Sequence, residues 1–199
     1  MIGFYKETDD VYRLRIPFEN LYTSVFLIIA DGKKILVDCG TTANDVDTFI
    51  VPLLAELGVT LTDIETLVLT HKHGDHAGGL ARVCEIAPNI EVVTDVRVLT
   101  GKISTYPLAG HTDDSIGVLD EKSHTLISGD GLQGAGVDKY RCNVKNKEAY
   151  LKTLERIKND GRIENIFFSH AYEPFYKDFV LGREEVENCL SECKKYVKE

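Results

Sequence analysis

A chain of 199 residues, 43% hydrophobic and 28% charged, has room for one domain with a sizeable core. Its net charge of −9 argues against a nucleic-acid partner, which would want a basic patch, and no apolar run reaches membrane-spanning length. Five cysteines, an odd number with no C-x-x-C pair, fit reduced thiols in a reducing compartment.

The first residues, Met1-Ile2-Gly3-Phe4-Tyr5-Lys6-Glu7, lack a basic-then-apolar leader, so a cytoplasmic protein of full mature length is expected. β-Branched and aromatic residues predict strands over 3–7, 11–16 and 23–30. Asp31-Gly32 easily takes the positive φ of a hairpin turn, which makes 34–37 the return strand. The period then changes. Val46, Phe49, Ile50, Leu53, Leu54 and Leu57 follow helical spacing, with Asn44 as N-cap, Gly58 as stop and Pro52 as a kink.

The apolar run 64–69 leads into Thr70-His71-Lys72-His73-Gly74-Asp75-His76-Ala77-Gly78-Gly79, and helix-like sequence over 77–86 carries the chain away. Short strands are predicted over 90–93, 96–99 and 103–108. A hairpin over 115–119 and 125–128 turns at Asp120-Glu121-Lys122-Ser123. A helix over 147–157, a strand over 163–168 and a helix over 184–197 complete the chain. The last helix carries Val186, Cys189, Leu190, Cys193 and Val197 on one face. This order reads as a layered α/β protein, and with no Pro/Gly/Ser linker residues 1–199 are expected to form a single domain.

Three histidines and an aspartate within six residues point to metal chemistry. In an extended loop His71 and His73 point the same way, whereas Asp75 and His76 sit at the loop-to-helix corner and aim differently. One loop thus offers ligands for two ions, and imidazole with carboxylate suits Zn²⁺, Fe²⁺ or Mn²⁺. Two ions need more ligands, and three candidates each follow a hydrophobic segment: His111, Asp130 and His170. His124 reads as an ordinary surface residue near a turn. Cys39, although beside the loop, reads as a small buried hydrophobe.

At this point the sequence resembles the metallo-β-lactamase-fold hydrolase superfamily. The resemblance rests on His71-x-His73-x-Asp75-His76, then Gly110-His111, Gly129-Asp130 and Ser169-His170, with Asp38-Cys39-Gly40 as the earlier strand-end motif. It implies an αββα sandwich of two mixed β-sheets with two divalent metal ions, zinc first and iron or manganese as alternatives. By the family pattern, His71, His73 and His111 bind one metal, Asp75, His76 and His170 the second, and Asp130 bridges them. Asp38 would orient the ligands from behind.

The implied reaction is hydrolysis of an activated acyl bond (thioester, ester or lactone) of a small molecule by a metal-bridging hydroxide, with Asp75 orienting the water. Asp75 and Asp130 together resemble the glyoxalase II-like and lactonase-like branches. Glyoxalase II usually carries a C-terminal helical region with basic residues for glutathione, and the 29 residues after His170 suffice for one helix, so hydroxyacylglutathione is not the expected substrate. The alternative is an iron-dependent redox enzyme of the same fold, similar to persulfide dioxygenases; a third reading is a metal-stabilised binding module. Tyr22, Gln133, Tyr140, Arg141 and Tyr172 are candidates for substrate contact, through a phenol hydroxyl, a side-chain amide or a guanidinium.

Overall fold

Asp31 at φ 51° and Gly32 at φ 77° close the expected hairpin, and the strands on either side of it anchor the first half of the computed structural model. The structure describes residues 2–18, 21–132, 144–172 and 177–198. It divides into two units, residues 1–94 and 95–199.

The first unit is built on a six-stranded mixed sheet in which each strand pairs with its neighbour in sequence. β1 (Phe4–Lys6), β2 (Val11–Phe18), β3 (Leu21–Ala30) and β4 (Lys33–Val37) run antiparallel, each to the next. β4, β5 (Thr66–Val68) and β6 (Glu91–Val93) are parallel. Val25 and Leu27 of β3 pack with Val46, Ile50, Leu54 and Val83 of the helices, while Phe26 and Ile28 on the opposite face are also fully buried. Burial on both faces explains why this strand reads as an unbroken apolar run. Each such side chain contributes about 1.5–3 kcal/mol by leaving water.

The crossover from β4 to β5 starts two residues earlier than predicted. Thr42, not Asn44, is the N-cap of α1 (Ala43–Asp45): its hydroxyl accepts from the Asp45 N–H at 3.3 Å, and Asp45 Oδ2 accepts from the Thr42 N–H at 3.1 Å. This reciprocal capping box satisfies two helix-end donors, which Asn44 inside the turn would not. A wide π turn over Val46–Ile50 follows, and α2 (Val51–Glu56) begins with Pro52 in its first turn, where no N–H is needed. The expected kink is therefore absorbed by a π turn ahead of the proline. The crossover from β5 to β6 is two short helices, α3 (Gly74–Ala77) and α4 (Leu80–Ile86), rather than one.

The second unit carries its own six-stranded mixed sheet: β7 (Val98–Thr100), β8 (Ile103–Pro107), β9 (Ile116–Asp120), β10 (Thr125–Ile127), β11 (Asn165–Tyr172) and β12 (Lys177–Leu181). All neighbours are antiparallel except β10 and β11, which α5 (Lys147–Asn159) connects in parallel. Asn146 caps α5 by accepting from the Ala149 N–H at 3.0 Å. Tyr150, Leu154 and Ile157 of α5 share a core with Val186, Cys189, Leu190 and Cys193 of α6 (Arg183–Lys198) and with Leu126, Ile166 and Phe168 of the sheet. The face predicted for the last helix is the one it buries. β12 had no counterpart in the sequence reading, and β11 extends four residues beyond the predicted strand, through His170. Among the described residues no helix is long and apolar enough to cross a membrane.

Candidate metal centre

Parallel neighbours bring their C-terminal ends to the same edge of a sheet, and in both units several candidate ligands lie just beyond the last matched pair of such strands. In the first unit Val37 pairs with Val68, and the Asp38 N–H continues the ladder onto the Val68 carbonyl at 2.9 Å. Asp38 follows β4 directly, and Thr70 and His71 lie two and three residues past β5. In the second unit Ile127 pairs with Phe167, so Asp130 and His170 each lie three residues beyond the last matched pair.

Asp38 is fully buried, with a φ of 62°. That left-handed backbone costs a non-glycine residue about 1–2 kcal/mol and persists only where surroundings dictate it. Here three donors do so. The Thr70 N–H donates to Oδ1 at 2.8 Å, and Oδ2 lies 2.8 Å from both the Thr70 hydroxyl and His76 Nδ1. His76, itself fully buried, is thereby held from behind while its Nε2 faces Asp75 Oδ2 at 3.4 Å.

The ring of His71 lies 4.5 Å from that of His73 and 4.2 Å from that of His76, centroid to centroid. The loop separates into two pairs as expected, His71 with His73 and Asp75 with His76, although the His71 ring also neighbours that of His76. Close backbone approach allows this. The Gly78 N–H donates to the Gly40 carbonyl at 3.0 Å, and a Cβ on Gly78 would stand 1.8 Å from the Thr41 carbonyl oxygen. The glycine pair after His76 lets the α3–α4 corner lie against the Asp38–Thr41 loop. Cys39 donates its thiol to the His76 carbonyl at 3.3 Å, and burial pushes its pKa up, so it stays a neutral thiol.

In the second unit Asp130 stands between two histidines. Its Oδ2 is 3.7 Å from His111 Nε2 and its Oδ1 is 3.3 Å from His170 Nε2. All three residues are buried. The Asn146 N–H donates to the Gly110 carbonyl at 3.0 Å, and Thr112 bonds to Ser115, so the segment around His111 is pinned on both sides.

The remaining candidates are less fully placed. Tyr22 is half-buried on β3 opposite Pro17, with the Arg15 guanidinium carbon 5.9 Å from its ring centroid. Gln133, Tyr140, Arg141 and the side chain of Tyr172 lie outside the described residues. His124 is an exposed turn residue, as expected. Thr70 escaped the sequence reading. Its signal was its place at the strand end just before the first histidine, where its side chain faces the same interior as Asp38.

The donor types fit divalent metal. Each unit gathers imidazoles and carboxylate in a largely buried cluster, where such groups are costly unless paired or ligating. Neutral imidazole with ionised carboxylate is the donor chemistry of zinc, iron and manganese sites.

Two six-stranded mixed sheets that carry His/Asp donors at their ends define an α/β protein with candidate metal ligands. Residues 19–98 match the family model of the metallo-β-lactamase superfamily. Beta-lactamase-like protein 2 homolog of Caenorhabditis elegans is 28% identical over 169 residues, covering 72% of this chain and 54% of that protein. Hydroxyacylglutathione hydrolase 1 of Vibrio vulnificus is 27% identical over 165 residues, covering 74% of this chain and 62% of that enzyme. The chain therefore spans little more than half the length of these curated relatives. The metallo-β-lactamase FIM-1 from Pseudomonas aeruginosa, solved in its mono-zinc form, superposes with a TM-score of 0.75 at 17% identity, covering 100% of this chain and 97% of that one. Over residues 19–98 the chain is thus similar to the metallo-β-lactamase superfamily, and its two mixed six-stranded sheets with helices share the α/β fold of that solved structure.

Proposed function

We propose that the protein is a binuclear metal-dependent hydrolase of an activated acyl bond (thioester, ester or lactone) in a small molecule. The observation that carries this reading is Asp130, whose two carboxylate oxygens face different histidines. A carboxylate so placed suits a bridge between two ions better than a closed single-metal site.

His71, His73 and His111 would hold one ion and Asp75, His76 and His170 the other, with Asp130 as a ligand shared between them; the donor types of both groups support this. When bound, two divalent ions, zinc first with iron or manganese as alternatives, supply a hydroxide at neutral pH and polarise a carbonyl. The chain's own residues do the rest. Asp75, with its side chain 20% exposed, reaches water better than Asp130 at 9%, and it orients the attacking molecule by accepting its hydrogen. Asp38 and the buried sheet ends hold the imidazoles in place, so little reorganisation accompanies reaction. A small-molecule substrate and a cytoplasmic setting belong to the same proposal, and the likeness to a hydroxyacylglutathione hydrolase supports the acyl-bond class.

The test is a panel of small esters, thioesters and lactones with the wild-type chain and the variants His71→Ala and Asp130→Ala. Turnover of at least one substrate, lost in both variants, is expected. Unchanged turnover in either variant contradicts the reading.

A further inference from the structure

The Asp38 carboxylate reaches a second imidazole through Thr70. Thr70 is 1% exposed, and its hydroxyl lies 2.8 Å from Asp38 Oδ2. An ionised carboxylate only accepts, so the single hydroxyl proton is committed to it. The same hydroxyl oxygen lies 3.2 Å from His71 Nδ1, and there it can only accept. His71 Nδ1 must then carry hydrogen. His76 Nδ1, 2.8 Å from Asp38 Oδ2, carries hydrogen for the same reason, and its 3.5 Å approach to the Thr70 hydroxyl is too long to compete.

We propose that Thr70 is a positioning residue that relays Asp38 to His71. One buried carboxylate then fixes the tautomer and ring orientation of two histidines, leaving the Nε2 lone pair of each for ligation. On the two-metal reading above, on which this part rests, His71 and His76 serve different ions, so the relay holds both half-sites in register from a single anchor. The relay is asymmetric. Losing the hydroxyl releases His71, whereas His76 keeps its direct bond to Asp38.

The experiment compares Thr70→Val, which keeps the branched shape, with Thr70→Ser, which keeps the hydroxyl. Histidine ¹⁵N–¹H correlation spectra of the full chain, as purified and after chelation, report which ring nitrogen carries hydrogen. The wild type and the Ser variant should show His71 and His76 as Nδ1–H tautomers. In the Val variant His76 should stay so while His71 loses its fixed tautomer. Competition with a chromophoric chelator should show zinc affinity reduced roughly 10- to 100-fold in Val and close to wild type in Ser. An Nε2–H tautomer at His71 in the wild type, or a His71 signal unchanged in Val, overturns the relay. Should the Val variant not fold, the wild-type His71 tautomer alone decides. Tautomers are read without substrate. A silent acyl panel with the expected tautomers therefore removes the hydrolase and leaves the relay, and the reverse result does the opposite.

Discussion

His76 Nδ1 lies 2.8 Å from Asp38 Oδ2, a bond that ties the residue after one strand to a helix reached only after the next. Thirty-eight positions separate the two in sequence, yet both side chains are fully buried and Asp38 takes a left-handed backbone to make the contact. A buried carboxylate that ends a strand and faces a candidate ligand is the arrangement that orients imidazole for metal.

Removing that carboxylate leaves the Thr70 N–H, the Thr70 hydroxyl and His76 Nδ1 buried without their acceptor. Each such loss costs about 1–3 kcal/mol, and alanine also tolerates the φ of 62° less well. Asp38→Ala should therefore lose at least about 3 kcal/mol of unfolding free energy. Asp38→Asn should lose less, because asparagine accepts the left-handed region and keeps one acceptor. Urea denaturation checks the order. An alanine variant within about 0.5 kcal/mol of wild type would contradict the assignment of Asp38 as the anchor.

Gly78→Ala should be poorly tolerated although nothing about its own backbone is strained. The added Cβ would stand 1.8 Å from the Thr41 carbonyl oxygen and 2.4 Å from that of Gly74, both backbone atoms that cannot step aside. Forcing the two loops apart should lower the melting temperature and metal affinity together. Gly161→Ala is the control: nothing lies within 4 Å of its added Cβ, so its effect should stay within about 0.5 kcal/mol. Equal stability of the two variants would show that the loop contact is dispensable.

Much of the candidate site was legible because its chemistry is local. His71, His73, Asp75 and His76 sit within six residues, and Asp38, His111, Asp130 and His170 each end or follow an apolar run. What was not legible depends on partners distant in sequence. Thr70 looks like any strand-end threonine until Asp38, thirty-two positions away, is placed against it. The choice of Thr42 over Asn44 as N-cap turns on the reciprocal bond with Asp45, and a spacing rule weighs both caps alike. Pro52 marked an irregular stretch of helix, but periodicity does not register that the irregularity is a π turn ahead of it. β12 was missed because Lys177–Leu181 is short and mixed in polarity, and it pairs with β11 across a bulged register.

Alkaline stability offers a test in the second unit. Burial, reinforced by the Asp160 carboxylate, pushes the Tyr106 phenol from its ordinary 10.0 up to about 12. A group whose pKa rises on folding stabilises the fold fully below its unfolded value and loses that contribution as pH climbs to the folded one. Wild-type stability should therefore fall between pH 10 and about 12, and Tyr106→Phe should flatten that part of the profile. Denaturant midpoints across this range measure it. Identical slopes in the two proteins would show that Tyr106 titrates as it does in water.

Elemental analysis of the chain purified without added metal, read beside the acyl panel, tests the central claim most directly. The two-metal hydrolase requires about two zinc or manganese ions per chain, with turnover that chelation removes and either metal restores. One tightly closed ion, or none, with the whole panel silent would contradict it. Iron with oxygen consumption would contradict it too, in favour of redox chemistry at the same ligands.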